Sequence, residues 1–281
     1  MTTFVFFAVL VAAACHAGWN AFIKVHLDPF SVTTLIAIGS ALIALPALPV
    51  AGLPAFESWP YLVASMIFHL GYYIGLTEAY RHGDMSQVYP IARGSAPLLT
   101  ASVGALYVGE HIGVAAWAGI VILALGILLL STHGGRDLAR IDRRAVGYAL
   151  FTAVTICGYS LADGVGGRTA QSAHAYAVML FLLDGVMMVV FAMLRRGPQV
   201  MTAILPYWRI GLFAGGLSLA AYWIAIWAMS VAPIGMVAAL RETSVLFGAA
   251  IATVFLKEPL RAARIAAAVM IVCGLVLIRI A

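Results

Sequence analysis

Charge is what this sequence has least of. Of 281 residues only 16 are Lys or Arg and 11 are Asp or Glu, a charged fraction of 10%, where an ordinary soluble domain carries roughly 25%. With 64% hydrophobic residues and a mean hydropathy of +1.04, that scarcity excludes both a water-surrounded globule and a disordered chain. Cysteine is scarce too. Cys15, Cys157 and Cys273 lie far apart inside apolar runs with no CxxC spacing, so neither a disulfide nor a metal site is expected. No GxxxxGK(S/T) segment is present to cradle the phosphates of ATP, and no HExxH to hold a catalytic zinc. No cofactor is expected. The net charge of +5 and pI near 9.3 would suit nucleic acid only if the basic residues formed one patch. They fall instead in short clusters between apolar segments, so no nucleic-acid partner is expected.

What is present is a series of long apolar runs, over residues 3–23, 30–50, 58–80, 85–107, 112–131, 145–165, 174–194, 208–229, 232–256 and 264–280. Each is long enough for a helix to cross a bilayer that needs about 20 residues per pass. None alternates polar and apolar residues as a transmembrane barrel strand would. The fold class predicted is an all-α integral membrane protein of ten transmembrane helices. The opening MTTFVFF lacks the basic flank of a secretory signal, which makes the first run a retained helix. Loops one-two, three-four, five-six, seven-eight and nine-ten hold Lys24, Arg81, Arg136, Arg140, Arg143, Arg144, Arg195, Arg196, Arg209, Lys257, Arg261 and Arg264, against Arg168 and Arg279 on the other side. The positive-inside bias then places the basic loops in the cytoplasm and both termini outside it.

The two halves repeat. IARGSAPLLTASVGALYVGEH and AALRETSVLFGAAIATVFLKEP register without gaps at an offset of 148 residues, which brings Arg93 onto Arg241, Glu110 onto Glu258 and Gly126 onto Gly274. Five helices per unit is an odd number, so the second copy must enter the membrane from the opposite side and the repeat is inverted. The expected organisation is a first five-helix unit at 1–132, a basic cytoplasmic linker at 133–144 and an inverted second unit at 145–281. Inverted repeats of this kind build many secondary transporters, with the binding site near the bilayer midplane. The same duplication could persist simply as a stable packing of helices.

A ten-helix duplicated chain with WN at Trp19-Asn20, ARGSAPLLTA opening the fourth helix, and GE or KE closing the fourth and ninth helices resembles the drug/metabolite transporter superfamily. Within it the chain is similar to the EamA-type ten-helix exporters over its full length. The resemblance implies secondary export of small metabolites, commonly amino acids, across a bacterial inner membrane. It implies a central cavity lined by eight helices with the fifth and tenth outside, and aromatic amino acids are the nearest substrate group. The partners implied are a small-molecule substrate and the lipid bilayer. Ten helices suffice to enclose a pathway, so one chain is expected to function as a monomer.

Ionisable residues at membrane depth are costly when they face lipid, so each points to a cavity or to a partner. Arg93 and Arg241 occupy matching depths in the fourth and ninth spans. Either could hold a substrate carboxylate through its forked donors, or could fasten helices, Arg241 pairing with Glu242. Asp184, mid-way along the seventh span, is a candidate proton carrier or ion-pair partner for an arginine. Asp163, near the outward end of the sixth, is expected to reach water. His16 and Asn20 share a helix face beside Trp19, and His16 is a candidate proton-sensitive group. His69, Tyr72, Tyr73, Tyr159, Tyr222, Trp223 and Trp227 are candidates for an aromatic lining, although aromatic residues also crowd helix interfaces. Glu110 and Glu258 are expected to anchor loops or cap helices. Pro90, Pro97, Pro233 and Gly235 are candidate hinges or static kinks.

Two other functions compete with a carrier. A membrane enzyme acting on lipids would need close catalytic spacing of its histidines and acids, and a channel would need a continuous polar stripe. Neither is evident in the sequence.

Overall fold

A computed structural model describes residues 1–22, 27–83, 85–131, 142–255 and 262–281. The first half comprises α1 (Thr3–Phe22), α2 (Pro29–Ala44) with its short continuation α3 (Leu48–Ala51), α4 (Trp59–His82), α5 (Met85–Val103) and α6 (Val114–Ser131). The second comprises α7 (Arg143–Thr169), α8 (Ala173–Arg196), the short α9 (Gln199–Ile204), α10 (Trp208–Val231), α11 (Ile234–Arg241), α12 (Ser244–Phe255) and α13 (Ala262–Ile280). No strand occurs among the described residues. Most of the linker expected at 133–144, together with Lys24, Lys257 and Glu258, lies outside them.

Seven helical stretches are long and apolar enough to cross a membrane, and Val114–Leu130 is a shorter apolar helix. α4 and α5 complete the ten passes. They are more polar because they carry His69, Tyr72, Tyr73, Tyr89 and Arg93 into the interior. The protein is thus an all-α membrane protein of ten passes, arranged as two five-helix repeats.

Local chemistry sets the ends. Asp28 caps α2 by accepting from the amides of Phe30 at 3.1 Å and Ser31 at 3.2 Å, with Pro29 in the first turn, where a missing N–H costs nothing. Ser172 caps α8 through the Ala175 amide. Gly197 ends α8 with φ +76°, a conformation that a Cβ would strain.

In lipid no hydrophobic force draws apolar helices together, so close packing must do so, and small residues permit it. A Cβ on Gly39 of α2 would collide with the carbonyl of Gly211 in α10, and one on Gly119 of α6 would come within 2.7 Å of the Gly274 carbonyl of α13. α6 and α13 pack on each other and, through Ile120, Leu123, Ile127 and Ile271, on the cluster that includes Ala101, Val237 and Leu240. Large apolar side chains such as Phe4, Phe7, Val63, Ile67, Val186 and Val269 stay exposed on the outer surface, as a lipid-facing surface requires.

The prolines of the fourth span, candidates for hinges or static kinks, leave it helical. Pro90 and Pro97 lie inside a continuous α5. The ninth span is interrupted instead at Glu242-Thr243, between α11 and α12, where amides reach back three residues, Glu242 to Ala239 and Thr243 to Leu240. Pro233 is the N-cap of α11, and Gly235 is required for close approach, since a Cβ there would sit 2.6 Å from Cα of Ala101.

Candidate functional site

Eight helices, α1, α2, α4, α5, α7, α8, α10 and α11, line a central cavity of about 420 Å³, a size that suits a small metabolite. α6 and α13 contribute nothing to its lining. At one end the cavity reaches Asp28, Arg81 and Arg196, the end that carries the basic loops. Among the described residues none of the lining comes from the opposite end. There Arg168 donates to the carbonyls of Met229 and Ala232, each at 2.9 Å, and to Glu110 at 2.6 Å. The Glu110 carboxylate also accepts from the Ile234 amide at 2.8 Å, capping α11. One acid and one arginine therefore tie the ends of α7, α10 and α11 to the turn after the fourth span.

The two repeat arginines have different fates. Arg93 is 2% exposed; its Nε lies 2.7 Å from Oε2 of Glu242, close but poorly aligned for a hydrogen bond. Its Nη2 lies 3.3 Å from Nε2 of His16. A guanidinium only donates, so that imidazole nitrogen accepts and carries no proton. His16 is thereby a partner of Arg93. Asn20 donates to the His16 carbonyl at 2.8 Å, and Trp19 packs edge-on against the His16 ring. Glu242 makes its ion pair with Arg93, across the repeat, and not with Arg241 beside it in sequence.

Arg241 lines the cavity with its guanidinium 4.6 Å from the centre of the Tyr222 ring. Among the described residues no hydrogen-bond acceptor or carboxylate partners it. The imbalance follows from the repeat: at the offset of 148, Glu242 falls on Gly94, so two arginines share one acid. A side chain at position 94 has no room, since a Cβ would meet Leu128 at 2.9 Å.

The aromatic residues divide as well. Tyr72, Tyr73, Tyr80, Tyr89, Tyr159 and Tyr222 line the cavity together with His69, whose ring stacks on Tyr159 at 4.3 Å. Trp223 and Trp227 do not line it. Trp223 points its indole N–H at His174, 2.8 Å away, and Trp227 packs against Phe4. Four residues apart, the two share a face of α10 that does not line the cavity.

Asp163 does not reach water as expected. It is fully buried and accepts from Tyr176 at 3.0 Å and Tyr222 at 2.5 Å, so it fixes the ring on which Arg241 lies. The signal was its spacing four residues after Tyr159, which turns both side chains to one face of α7. Asp184 lines the cavity 9% exposed and ion-pairs with neither arginine; the Tyr73 hydroxyl lies 3.4 Å from each of its oxygens. Outside the membrane core, partial burial raises the Asp28 carboxyl, but hydrogen bonds from Arg196 and Ser31 outweigh it and hold the carboxyl below its ordinary range.

The model of the EamA-like transporter family matches residues 3–132 and 143–280. A solved crystal structure described only as that of a protein is similar over 98% of this chain and 96% of its own, at 18% identity and a TM-score of 0.76, a likeness of fold. No protein of curated function matches the chain.

Proposed function

The chain belongs to the EamA-like transporter family, and from that premise we propose a secondary carrier that exports amino acids, aromatic or otherwise hydrophobic, across the bacterial inner membrane by alternating access. The observation that carries this reading is Arg241. Arg241 makes no ion pair of its own and shares the field of one carboxylate, Glu242, with Arg93; a buried arginine so incompletely neutralised is unfavourable, and a substrate carboxylate completes it through the paired geometry that guanidinium favours. The tyrosines around it supply flat apolar surface for a side chain and hydroxyls at its rim.

Arg93, which also lines the cavity, is already paired with Glu242 and joins the two halves beside the site. With the basic loops in the cytoplasm, the cavity faces inward, ready to load for export, and the Glu110 and Arg168 contacts hold the periplasmic end shut. In the opposite state those contacts part. Both termini then lie on the periplasmic side, and a single chain encloses the whole pathway.

Counterflow in proteoliposomes tests the proposal. Vesicles loaded with unlabelled phenylalanine or tryptophan should take up the labelled amino acid saturably. Arg241→Ala should lower that exchange by about tenfold or more, while the purified variant stays folded in detergent. No exchange of any tested amino acid by folded, incorporated protein would overturn the amino-acid assignment.

A further inference from the structure

A second charge in the cavity lacks a partner, and it is negative. Asp184 is more than nine-tenths buried and faces the cavity from α8, one turn beyond Phe181. Its polar contact is the Tyr73 hydroxyl, at 3.4 Å the outer limit of a hydrogen bond. No arginine or lysine ion-pairs with it among the described residues, and the imidazole of His69, another lining residue, lies within Coulombic reach of it.

Arg241 and Asp184 do not meet. A run of contacts through four tyrosines connects them. Arg241 lies on Tyr222; the Tyr222 ring is 5.9 Å from Tyr159, Tyr159 is 6.0 Å from Tyr72, and Tyr72 is 5.5 Å from Tyr73, whose hydroxyl reaches Asp184. The lining of the cavity thus holds a guanidinium and a carboxylate with aromatic rings between them.

A hydrophobic α-amino acid carries its two charges on adjacent carbons and satisfies one end only. A ligand that satisfies both has a carboxylate at one end and a cation at the other, joined by an apolar stem. The middle also favours such a ligand, because tyrosine faces attract a cation and accept methylene groups.

Building on the carrier reading above, we infer that Asp184 and Tyr73 form a distal subsite of the cavity that admits, beside hydrophobic side chains, long side chains ending in a cation, such as that of lysine, and favours them over neutral side chains of the same length. Arg241 takes the carboxylate, the methylene stem lies along Tyr159 and Tyr72, and the distal ammonium enters between Tyr73 and Asp184. Asp184 is then the residue that separates cationic from neutral side chains.

The test compares lysine with norleucine, which keeps the straight chain and ends in a methyl group. Each competes against labelled phenylalanine counterflow in proteoliposomes of the full chain. Lysine should compete about tenfold better than norleucine, the value of one good charge-assisted contact. Asp184→Asn should bring the ratio to about one, and Asp184→Glu should restore part of it. Cadaverine, which lacks the carboxylate, should compete poorly, because it leaves Arg241 unpaired. The wild-type comparison stands even where a variant fails to fold. Phenylalanine exchange with lysine no better than norleucine overturns the distal subsite and leaves the carrier standing. A lysine preference that survives in Asp184→Asn assigns the selection elsewhere and also overturns it. Failure of every amino acid, phenylalanine included, overturns both.

Discussion

Arg93 and Glu242 meet at 2.7 Å in the interior of the helix bundle, while Arg241, the repeat counterpart of Arg93, rests on the ring of Tyr222. Two positions related by duplication have thus diverged into a structural ion pair and an open charge. The residue that separates them is Glu242, whose counterpart Gly94 has no side chain and no space for one.

Removing Glu242 should be more damaging than removing the pair. Glu242→Gln leaves a buried guanidinium without its counter-charge and should destabilise the protein by about 3–5 kcal/mol. The double variant Arg93→Met, Glu242→Leu should recover most of that loss. Thermal unfolding in detergent, followed by tryptophan fluorescence, measures both. A single variant as stable as the wild type would show that the pair holds nothing together.

Tyr222 holds a ring toward Arg241 and a hydroxyl toward Asp163. Tyr222→Phe keeps the ring but leaves Asp163 with one donor fewer, so stability should fall by about 1–3 kcal/mol. Exchange should persist at a reduced rate. Tyr222→Ala removes the platform too, and exchange should be lost. A melting temperature for Tyr222→Phe equal to the wild type would show that the buried carboxyl does not depend on this hydroxyl.

Glu110 accepts from the first amides of α11 and from Arg168. Glu110→Gln weakens both, so amide hydrogens at residues 234–236 should exchange faster by about tenfold, with the middle of α7 unaffected. Unchanged protection at these amides would remove Glu110 from the closure of that end.

The pair between Asp28 and Arg196 sets a pH dependence at the cavity mouth. Asp28 is held below its ordinary value in the folded protein, so its contribution is complete above the unfolded value and is lost as pH falls through the lower, folded one. Arg196→Gln should therefore be less stable than the wild type near neutral pH, and the gap should close below about pH 4. Melting temperatures across a pH series report it; a gap independent of pH would mean that the arginine acts by packing alone. Because Asp28 is largely exposed, the effect should be small and should shrink with salt.

The break at Glu242-Thr243 shows where sequence reasoning reaches its limit. Pro90 and Pro97 are visible helix breakers, yet α5 runs through both; no proline or glycine marks the interruption that ends α11. A helix can absorb a proline when neighbouring helices supply the packing. Conversely, the interruption places the Glu242 carboxylate at Arg93, a contact between the two halves that no local pattern records.

The sequence by itself determined the ten passes, the duplication and the set of polar groups that had to be accommodated inside. Lipid admits few solutions: long apolar runs must be helices, and buried charges must face inward. Which residues face each other was left to the tertiary structure. A membrane helix is apolar all round, so its inward face leaves little periodic trace, and helical spacing alone could not turn Tyr222 into the cavity while turning Trp223 and Trp227 away. Only the packing of eight helices around one space paired Arg93, left Arg241 and Asp184 open, and buried Asp163 behind Tyr222. Each outcome depends on distances between residues far apart in the chain.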